Sequence, residues 1–176
     1  MALVRPYAGK LPRLHESAFA LEGAVVIGDV EIGAESSLWF GTIVRGDVNA
    51  IRIGARTNVQ DYTVVHVTGG THPTTVGDEV TIGHRVTLHG CTVKDRCLVG
   101  IGAIVMDGAV VGEESIVGAG ALVSPGMVIP PRTLAVGSPA RVKRALDAEE
   151  LAHLARSAAN YVGYARQYAA EGWTVR

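Results

Sequence analysis

Aliphatic residues recur at every sixth position through most of the chain. From Val26 the sequence divides into the hexapeptides VIGDVE, IGAESS, LWFGTI and VRGDVN, and the division resumes at Ile53 and again at Val76. The first position of each hexapeptide is aliphatic, the second is often glycine, and the fifth is nearly always small, with Met127 as the exception. A period of six fits neither an α-helix of 3.6 residues per turn nor one long alternating strand, but it suits a coil of short strands and corners.

Three such sides close one rung of a triangular prism. The first and fifth positions would point inward, and glycines would take the tight corners. Hexapeptide patterns of this kind are similar to those of left-handed parallel β-helices, and the handedness is taken from that resemblance. We therefore predict an all-β fold, a left-handed parallel β-helix over residues 20–143, preceded by an N-terminal arm over residues 1–19.

The pattern changes after Ala140, and residues 144–172 are predicted to contain a C-terminal α-helix packed on the β-helix. Asp147 is the predicted N-cap, and Glu150 lies three residues further on, as in a capping box. The apolar face of this helix would consist of Leu151, Leu154, Ala158, Tyr161 and Ala165.

Composition narrows the classes of partner and the cellular location. The 176 residues fit one domain, and 16 basic against 17 acidic side chains give a net charge of -1, which argues against nucleic acid or a membrane surface as a partner. No apolar run approaches the roughly 20 residues that cross a bilayer, and the first residues lack a signal-peptide core, so we expect a soluble, cytoplasmic protein. Cys91 and Cys97 are predicted to be small core residues rather than a disulfide.

The prism assigns three histidines to faces. If the polar residues 67–75 form a loop, Val65 and Leu88 begin sides of the same face, and His66 and His89 stack on adjacent rungs about 4.8 Å apart. His84 falls on another face, so a neighbouring protomer of a homotrimer would have to supply it. Three imidazoles and an open position are typical of catalytic zinc, although iron and cobalt accept the same ligands.

Other polar residues are predicted on the same two faces. Arg45 and Asp47 share a face with His66, and Gln60 and Asp61 share a face with His84. Charge buried at an interface needs a partner, so we expect Arg45 to pair with Asp47 or with Asp61 of a neighbouring protomer. These residues could serve only to hold the trimer together, whereas Gln60 could reach solvent bound to the metal.

The remaining histidines are not predicted to be metal ligands. His15 and His153 are predicted on the surface. His72 lies in the loop near His66, where an imidazole could shuttle protons or could simply be solvated.

Several motifs together resemble the gamma-class carbonic anhydrases and their close relatives: RGD at 45–47, NVQD at 58–61, HVT at 66–68 and VGDEVTIGHRVTLHGC at 76–91. The resemblance covers about residues 10–170. It implies a trimer with zinc, iron or cobalt at each interface, held by His66 and His89 of one subunit and His84 of the next. It also implies active-site positions for Arg45, Asp47, Asn58, Gln60, Asp61 and a helix tyrosine, for which we choose Tyr164 over Tyr161.

The reaction that the resemblance implies is the reversible hydration of carbon dioxide to bicarbonate. The metal would lower the pKa of bound water from 15.7 to about 7, hydroxide would attack carbon dioxide, and Gln60 would orient that hydroxide. The acidic residues that help to move protons in well-characterised relatives are absent, since Val48 follows the RGD motif and residues 67–75 contain no Asp or Glu. The resemblance therefore does not predict fast hydration unless His72 replaces them.

Two other functions remain open from the residues. One is an acyl-coenzyme A thioesterase or transferase, because the same fold hosts acyltransferases and a metal-bound hydroxide could attack a thioester. The other is a non-catalytic scaffold in which the metal only staples the trimer.

Overall fold

The computed structural model describes residues 1–173 as a solenoid of short strands followed by one helix. The strands are β1 (Leu3–Arg5), β2 (Arg13–Leu14), β3 (Phe19–Ala20), β4 (Val25–Ile32), β5 (Ser37–Leu38), β6 (Ile43–Ile53), β7 (Asn58–Val59), β8 (Val64–His66), β9 (Thr74–Val76), β10 (Thr81–Ile82), β11 (Thr87–His89), β12 (Thr92–Val93), β13 (Leu98–Val99), β14 (Ile104–Val105), β15 (Val110–Val111), β16 (Ile116–Val117), β17 (Leu122–Val123), β18 (Val128–Ile129), β19 (Thr133–Val136) and β20 (Arg141–Ala145), and the helix is α1 (Ala148–Ala170).

The strands stack into three faces. Strands β8, β11, β14 and β17 form the first face, β9, β12, β15 and β18 form the second, and β3, β5, β7, β10, β13, β16 and β19 form the third. The long strands β4 and β6 join the first two faces, and β20 closes the third as its antiparallel edge. This is the left-handed parallel β-helix predicted from the hexapeptide period and, for its hand, from the resemblance to known left-handed β-helices.

The interior of the prism is a set of aliphatic columns. On the first face Val65, Leu88, Val105 and Val123 lie in register on successive rungs, and none of them is accessible to solvent. Inward side chains fill the space between three faces, so the core is narrow and continuous along the solenoid axis. Cys91 and Cys97 belong to this core as free thiols, as predicted, and burial raises the pKa of each to about 12.

The rung that carries His89 is one residue shorter than the rung after it. Val93 follows Leu88 by five positions, whereas Val111 follows Val105 by six, and both pairs keep their register on the second face. The missing residue lies in the corner just after His89, where Gly90 takes a left-handed φ of +59°. The predicted loop over residues 67–75 is also shorter than expected, because Thr74 and Thr75 pair with β6 as part of β9.

The corner between the second and third faces carries a charge ladder. Its residues alternate in sign on six successive rungs and have φ between 54° and 58°: Glu35, Arg56, Glu79, Arg96, Glu114 and Arg132. Arg56 donates to Glu35 at 3.1 Å and to Glu79 at 3.2 Å, and Arg96 donates to Glu114 at 3.0 Å. Side chains at positive φ strain the backbone, so ion pairs offset part of that cost here.

The C-terminal helix packs on the third face, against β5, β7 and β10. Trp39 meets Tyr161 and Tyr168 edge to face, each with ring centroids 5.3 Å apart. The buried residues of α1 are Leu154, Ala158, Val162 and Ala165. Val162 was absent from the predicted face, and the predicted members Leu151 and Tyr161 are half-buried.

The N-terminal residues continue the solenoid, because β1 and β2 pair in parallel with β4. The limits predicted for the arm, the β-helix and the helix segment stay predictions. Within residues 1–173 no helix combines the length and the apolar character that crossing a bilayer requires.

The predicted N-cap of α1 is confirmed and makes stability depend on pH. Asp147 accepts from the backbone N–H of Glu150, and the Glu150 carboxylate accepts from the Asp147 N–H at 3.0 Å and from Arg144 at 2.6 and 2.8 Å. The hydrogen bond from Arg144, with that from Asp147, lowers the pKa of Glu150 to about 2. The contribution of this carboxylate to stability is therefore complete above its ordinary pKa of 4.5 and is lost as the pH falls towards 2.

We expect Glu150→Gln to lower the free energy of unfolding at pH 7 and to reduce its difference between pH 7 and pH 3. Urea unfolding followed by circular dichroism at both pH values measures this. Glu149→Gln, in the same helical turn, is the matched control and should keep the wild-type pH dependence. If both variants behave as the wild type, the capping carboxylate does not act in this way.

Candidate metal centre

His66 and His89 lie side by side on the first face. The pairing of β8 with β11 sets them in register, as the face count predicted. Nδ1 of His66 and Nε2 of His89 are 3.1 Å apart, and the ring centroids are 5.0 Å apart. Each side chain is largely shielded from solvent, since only 17% of His66 and 30% of His89 is exposed.

A carboxylate lies behind each of these rings. Oδ1 of Asp47 is 3.0 Å from Nε2 of His66, and Oδ1 of Asp107 is 2.7 Å from Nδ1 of His89. An ionised carboxylate only accepts, so each ring must donate its N–H outward. The two unprotonated nitrogens then face each other at 3.1 Å with their lone pairs.

Facing lone pairs at that distance repel unless a cation neutralises them. Neutral imidazoles, each held by a carboxylate at the distal nitrogen, are the usual form of histidine ligands of transition metals. The donor set therefore fits a metal ion such as zinc, iron or cobalt.

The groups around Asp47 and Asp107 favour the ionised form of both carboxylates. Burial raises the pKa of Asp47, but the hydrogen bonds from Arg45 and His66 outweigh it and leave the pKa below its ordinary value. The hydrogen bond from His89, followed by that from Thr68, lowers the pKa of Asp107. Of the two partners predicted for Arg45, Asp47 is the one it contacts within the chain.

His84 lies in the turn between β10 and β11, at the corner where the third face leads into the first, and not within a third-face strand as predicted; it is apart from the histidine pair. Nδ1 of His84 is 2.8 Å from Oδ2 of Asp61, which leaves Nε2 of His84 without a polar partner among residues 1–173. The same described residues contain no group of three or more His, Cys, Asp and Glu side chains placed to hold one ion. The predicted ligands thus form two half-sites, one with His66 and His89 and one with His84.

Asn58 and Gln60 belong to the half-site of His84. Both are nearly buried, and Nε2 of Gln60 donates to Oδ1 of Asn58 at 3.0 Å. Asn58 in turn donates to Oγ1 of Thr81 at 3.1 Å, and this hydroxyl is 3.0 Å from Oγ of Ser157 on α1. Because its amide nitrogen is engaged, Gln60 can offer its carbonyl oxygen to the surface beside His84.

A cavity of about 340 Å³ opens next to His84 and Asp61. Its wall is aromatic and consists of Trp39, Phe40, Tyr161, Tyr164 and Tyr168. Burial, with the nearby Asp61 carboxylate, raises the pKa of Tyr161, whereas Tyr164 is half exposed. Both tyrosines line this cavity, so the choice of Tyr164 stays a prediction.

The loop after His66 lies beside the first half-site. Thr68 donates to Oδ2 of Asp107 at 3.0 Å, and Nδ2 of Asn49 donates to the Thr68 carbonyl at 3.0 Å. His72 lies over the corner glycines, with Nε2 about 3.3 Å from where a Cβ on Gly108 would stand. Val48 is exposed, as are His15 and His153.

Sequence reasoning missed Asp107 and Thr68. The available signal was spacing: Asp107 follows His89 by one 18-residue rung, so a carboxylate returns to the histidine corner on the next turn. Thr68 forms part of the HVT motif but was given no role.

Comparison with known proteins decides the family. No protein-family model matches the chain. A carbonic anhydrase of Geobacillus kaustophilus is 42% identical over 168 residues, which cover 96% of this chain and 92% of its own. Gamma carbonic anhydrase 1 of Arabidopsis thaliana, a mitochondrial protein, is 47% identical over 167 residues, which cover 92% of this chain and 61% of its own. The chain belongs to the gamma carbonic anhydrase family.

Solved structures agree with the fold of this gamma carbonic anhydrase family member but carry another kind of name. A Bacillus cereus protein named as a candidate acetyltransferase is 45% identical, with a TM-score of 0.93 over 95% of this chain and 96% of its own. The chain spans about three fifths of the length of the Arabidopsis relative. The family resemblance found in the motifs is thus confirmed, whereas the activity requires its own argument.

Proposed function

We propose that this protein catalyses the reversible hydration of carbon dioxide to bicarbonate at a metal ion shared by two protomers of a homotrimer. One observation carries the proposal: Nδ1 of His66 and Nε2 of His89 lie 3.1 Å apart, and the carboxylate behind each ring takes the N–H of that ring, which leaves a lone pair on both facing nitrogens. Homologues named carbonic anhydrases support a metal cofactor, and zinc, iron and cobalt all suit three imidazoles. The predicted cytoplasmic location stays a prediction.

The third ligand would come from His84 of the partner subunit. Within one chain His84 lies in the turn before β11, whereas the other two histidines lie at the ends of the first-face strands β8 and β11, so the half-sites are separate. Exposed isoleucines on the first face and at its corner support packing of another protomer there: Ile43 and Ile104 are each 38% exposed, and Ile101 is 50% exposed. Three-fold packing would repeat the same contact at every interface.

A bound ion would lower the pKa of a coordinated water towards neutrality and so supply the nucleophile. The residues of the chain do the positioning. Asp47 holds the N–H of His66 and Asp61 holds the N–H of His84, so each ring presents one lone pair. Asn58 holds the amide nitrogen of Gln60, which leaves the Gln60 carbonyl oxygen to accept a hydrogen bond from the attacking water.

Stopped-flow hydration of carbon dioxide by protein reconstituted with zinc, iron or cobalt tests this proposal. We expect metal-dependent turnover and one ion per chain by elemental analysis. Protein that binds one metal ion per chain but does not hydrate carbon dioxide would contradict the proposal.

Thioester hydrolysis or acyl transfer is the second candidate. The Bacillus cereus structural relative and the aromatic cavity beside His84, which is far larger than carbon dioxide needs, favour it. A panel of acyl-coenzyme A thioesters in the same assay separates the two. Activity towards thioesters alone would favour the second candidate, and a trimer that binds metal but acts on neither substrate would favour the scaffold.

Of the two roles left open for His72, proton carrier or solvated loop residue, we propose the proton carrier between the site and solvent. It lies beside Asp107, which contacts His89, and no acidic residue occurs in residues 67–75. We expect His72→Ala to lower kcat for hydration about tenfold or more in dilute buffer, because proton transfer to solvent would become limiting. Added imidazole buffer should restore the rate. Exposed His153→Ala is the control, and an unchanged kcat and buffer dependence in His72→Ala would exclude this role.

A further inference from the structure

The carboxylate of Asp107 contacts two elements of the first half-site at once. Oδ1 lies 2.7 Å from Nδ1 of His89, and Oδ2 accepts from the Thr68 hydroxyl at 3.0 Å. The carboxylate thus spans from the rung after His89 to the loop that follows His66. Gly90 makes this approach possible, since a Cβ there would lie 2.2 Å from Oδ1 of Asp107.

This contact determines which nitrogen of His89 carries the proton. With Asp107 as acceptor, Nδ1 of His89 is protonated and Nε2 keeps its lone pair, directed at His66. Without that acceptor, the Nε2–H tautomer of His89 would gain a hydrogen bond to Nδ1 of His66. The proton would then occupy the space between the two rings that a cation requires.

The loop braces the histidine pair at its other end as well. Thr74 is fully buried, and its hydroxyl donates to the His66 carbonyl at 2.5 Å and accepts from the Gly90 N–H at 2.9 Å. Thr68 is itself held by Asn49 and by a backbone bridge to His72. The Thr74 end of the loop is therefore bonded beside both histidines, and the Thr68 end is bonded to Asp107 and to Asn49 of β6.

We propose that Asp107 is a positioning residue that keeps His89 in its ligating tautomer, and that Thr68 orients the Asp107 carboxylate for this role. The inference rests on the proposed metal site and adds to it a residue pair outside the predicted site. Partners of this kind commonly change metal affinity 10- to 100-fold.

The test compares Asp107→Ala, Asp107→Asn and Thr68→Val with the wild type. Competition with a chromophoric chelator gives the zinc dissociation constant. We expect Asp107→Ala to weaken zinc binding about 10- to 100-fold, and Thr68→Val about 2- to 10-fold, since one hydrogen bond to the carboxylate is lost. Asp107→Asn should bind more tightly than Asp107→Ala, because the amide oxygen can still accept from Nδ1 of His89.

Long-range ¹H–¹⁵N correlation spectra of the zinc-free proteins give a readout that needs no metal. The His89 ring should be protonated at Nδ1 in the wild type and should shift towards the Nε2–H form in Asp107→Ala. Asp95→Ala is the matched control: it removes a carboxylate that accepts a backbone N–H, at 2.9 Å from Asp78, away from the histidines. Its zinc affinity and His89 tautomer should match the wild type.

The outcomes separate the two proposals. Wild-type protein that binds none of zinc, iron and cobalt would refute the metal site, while the tautomer measurement would still decide the role of Asp107. Wild-type protein that binds zinc, together with unchanged affinity and tautomer in Asp107→Ala, would overturn the role of Asp107 alone. If Asp107→Ala does not fold, Thr68→Val decides, and unchanged zinc affinity in that variant overturns the inference.

Discussion

Replacement of His84 by alanine should strip the protein of its metal and lower kcat/KM for carbon dioxide hydration by more than about 100-fold. The two remaining ligands, His66 and His89, lie at the ends of β8 and β11 and keep their own carboxylate partners, so the chain should still fold. Elemental analysis and stopped-flow hydration measure the two losses. His153→Ala, which removes an exposed histidine of α1, should retain the wild-type values.

Mixed trimers show whether the site is shared between chains. His84→Ala and His89→Ala should each be inactive alone. In a mixed trimer, a His84→Ala chain still has His66 and His89. Where these two residues face the intact His84 of the partner subunit, a His89→Ala chain, the interface has all three ligands. Random assembly in equal amounts makes about three quarters of the trimers mixed, and each has one complete site of three, so about a quarter of wild-type activity should return.

Failure of the mixed trimers to regain activity would contradict a site shared between chains. If each site were built within one chain, no combination of the two variants could restore activity, because every chain would lack one ligand. Recovery must also require assembly from dissociated subunits, whereas simple mixing of stable homotrimers should restore nothing.

Leu88→Ala should lower the free energy of unfolding by about 2–5 kcal/mol, the range for truncation of a buried leucine. Leu88 is fully buried and lies in the column between Val65 and Val105. Both neighbours belong to strands paired on either side of β11, so the surrounding backbone cannot close the cavity without breaking the ladder. Urea unfolding at one fixed protein concentration measures the loss, since association also affects apparent stability.

Thr92→Ala is the control for this variant. Thr92 precedes the buried Val93 on β12, faces outward on the second face and is half-buried, so its truncation should cost less than about 1 kcal/mol. Equal losses in the two variants would mean that the interior column does not dominate the stability of the prism.

The hexapeptide period predicted the positions of the histidines because it determines which residues stack. Parallel strands in register bring every residue beside one that lies a full rung away, so His66 and His89 had to meet once the loop between them was recognised. The same reasoning separated His84 from the pair. The strand period therefore predicted which histidines meet, as well as the fold.

The strand period could not predict the contacts made by side chains at the corners and on the helix. The contact between Asp107 and His89 depends on the short corner at Gly90 and on the path of the loop through Thr68, neither of which has a period. The alanine-rich helix has no sharp apolar stripe, so its rotation follows from aromatic packing on Trp39. This is why Val162 was missed and why Tyr161 and Tyr164 could not be separated.

We expect the charge ladder to favour the correct order of the solenoid turns during folding. Successive turns have nearly the same aliphatic pattern, so apolar contacts alone discriminate poorly between a turn and the one after it. A turn that skipped its neighbour would bring Glu35 against Glu79, or Arg56 against Arg96, and like charges would repel at every such mistake. Although each surface ion pair is weak, the set would then oppose mispaired turns, and uniform replacement of the ladder by alanine should produce misthreaded and aggregated chains more than a less stable native state.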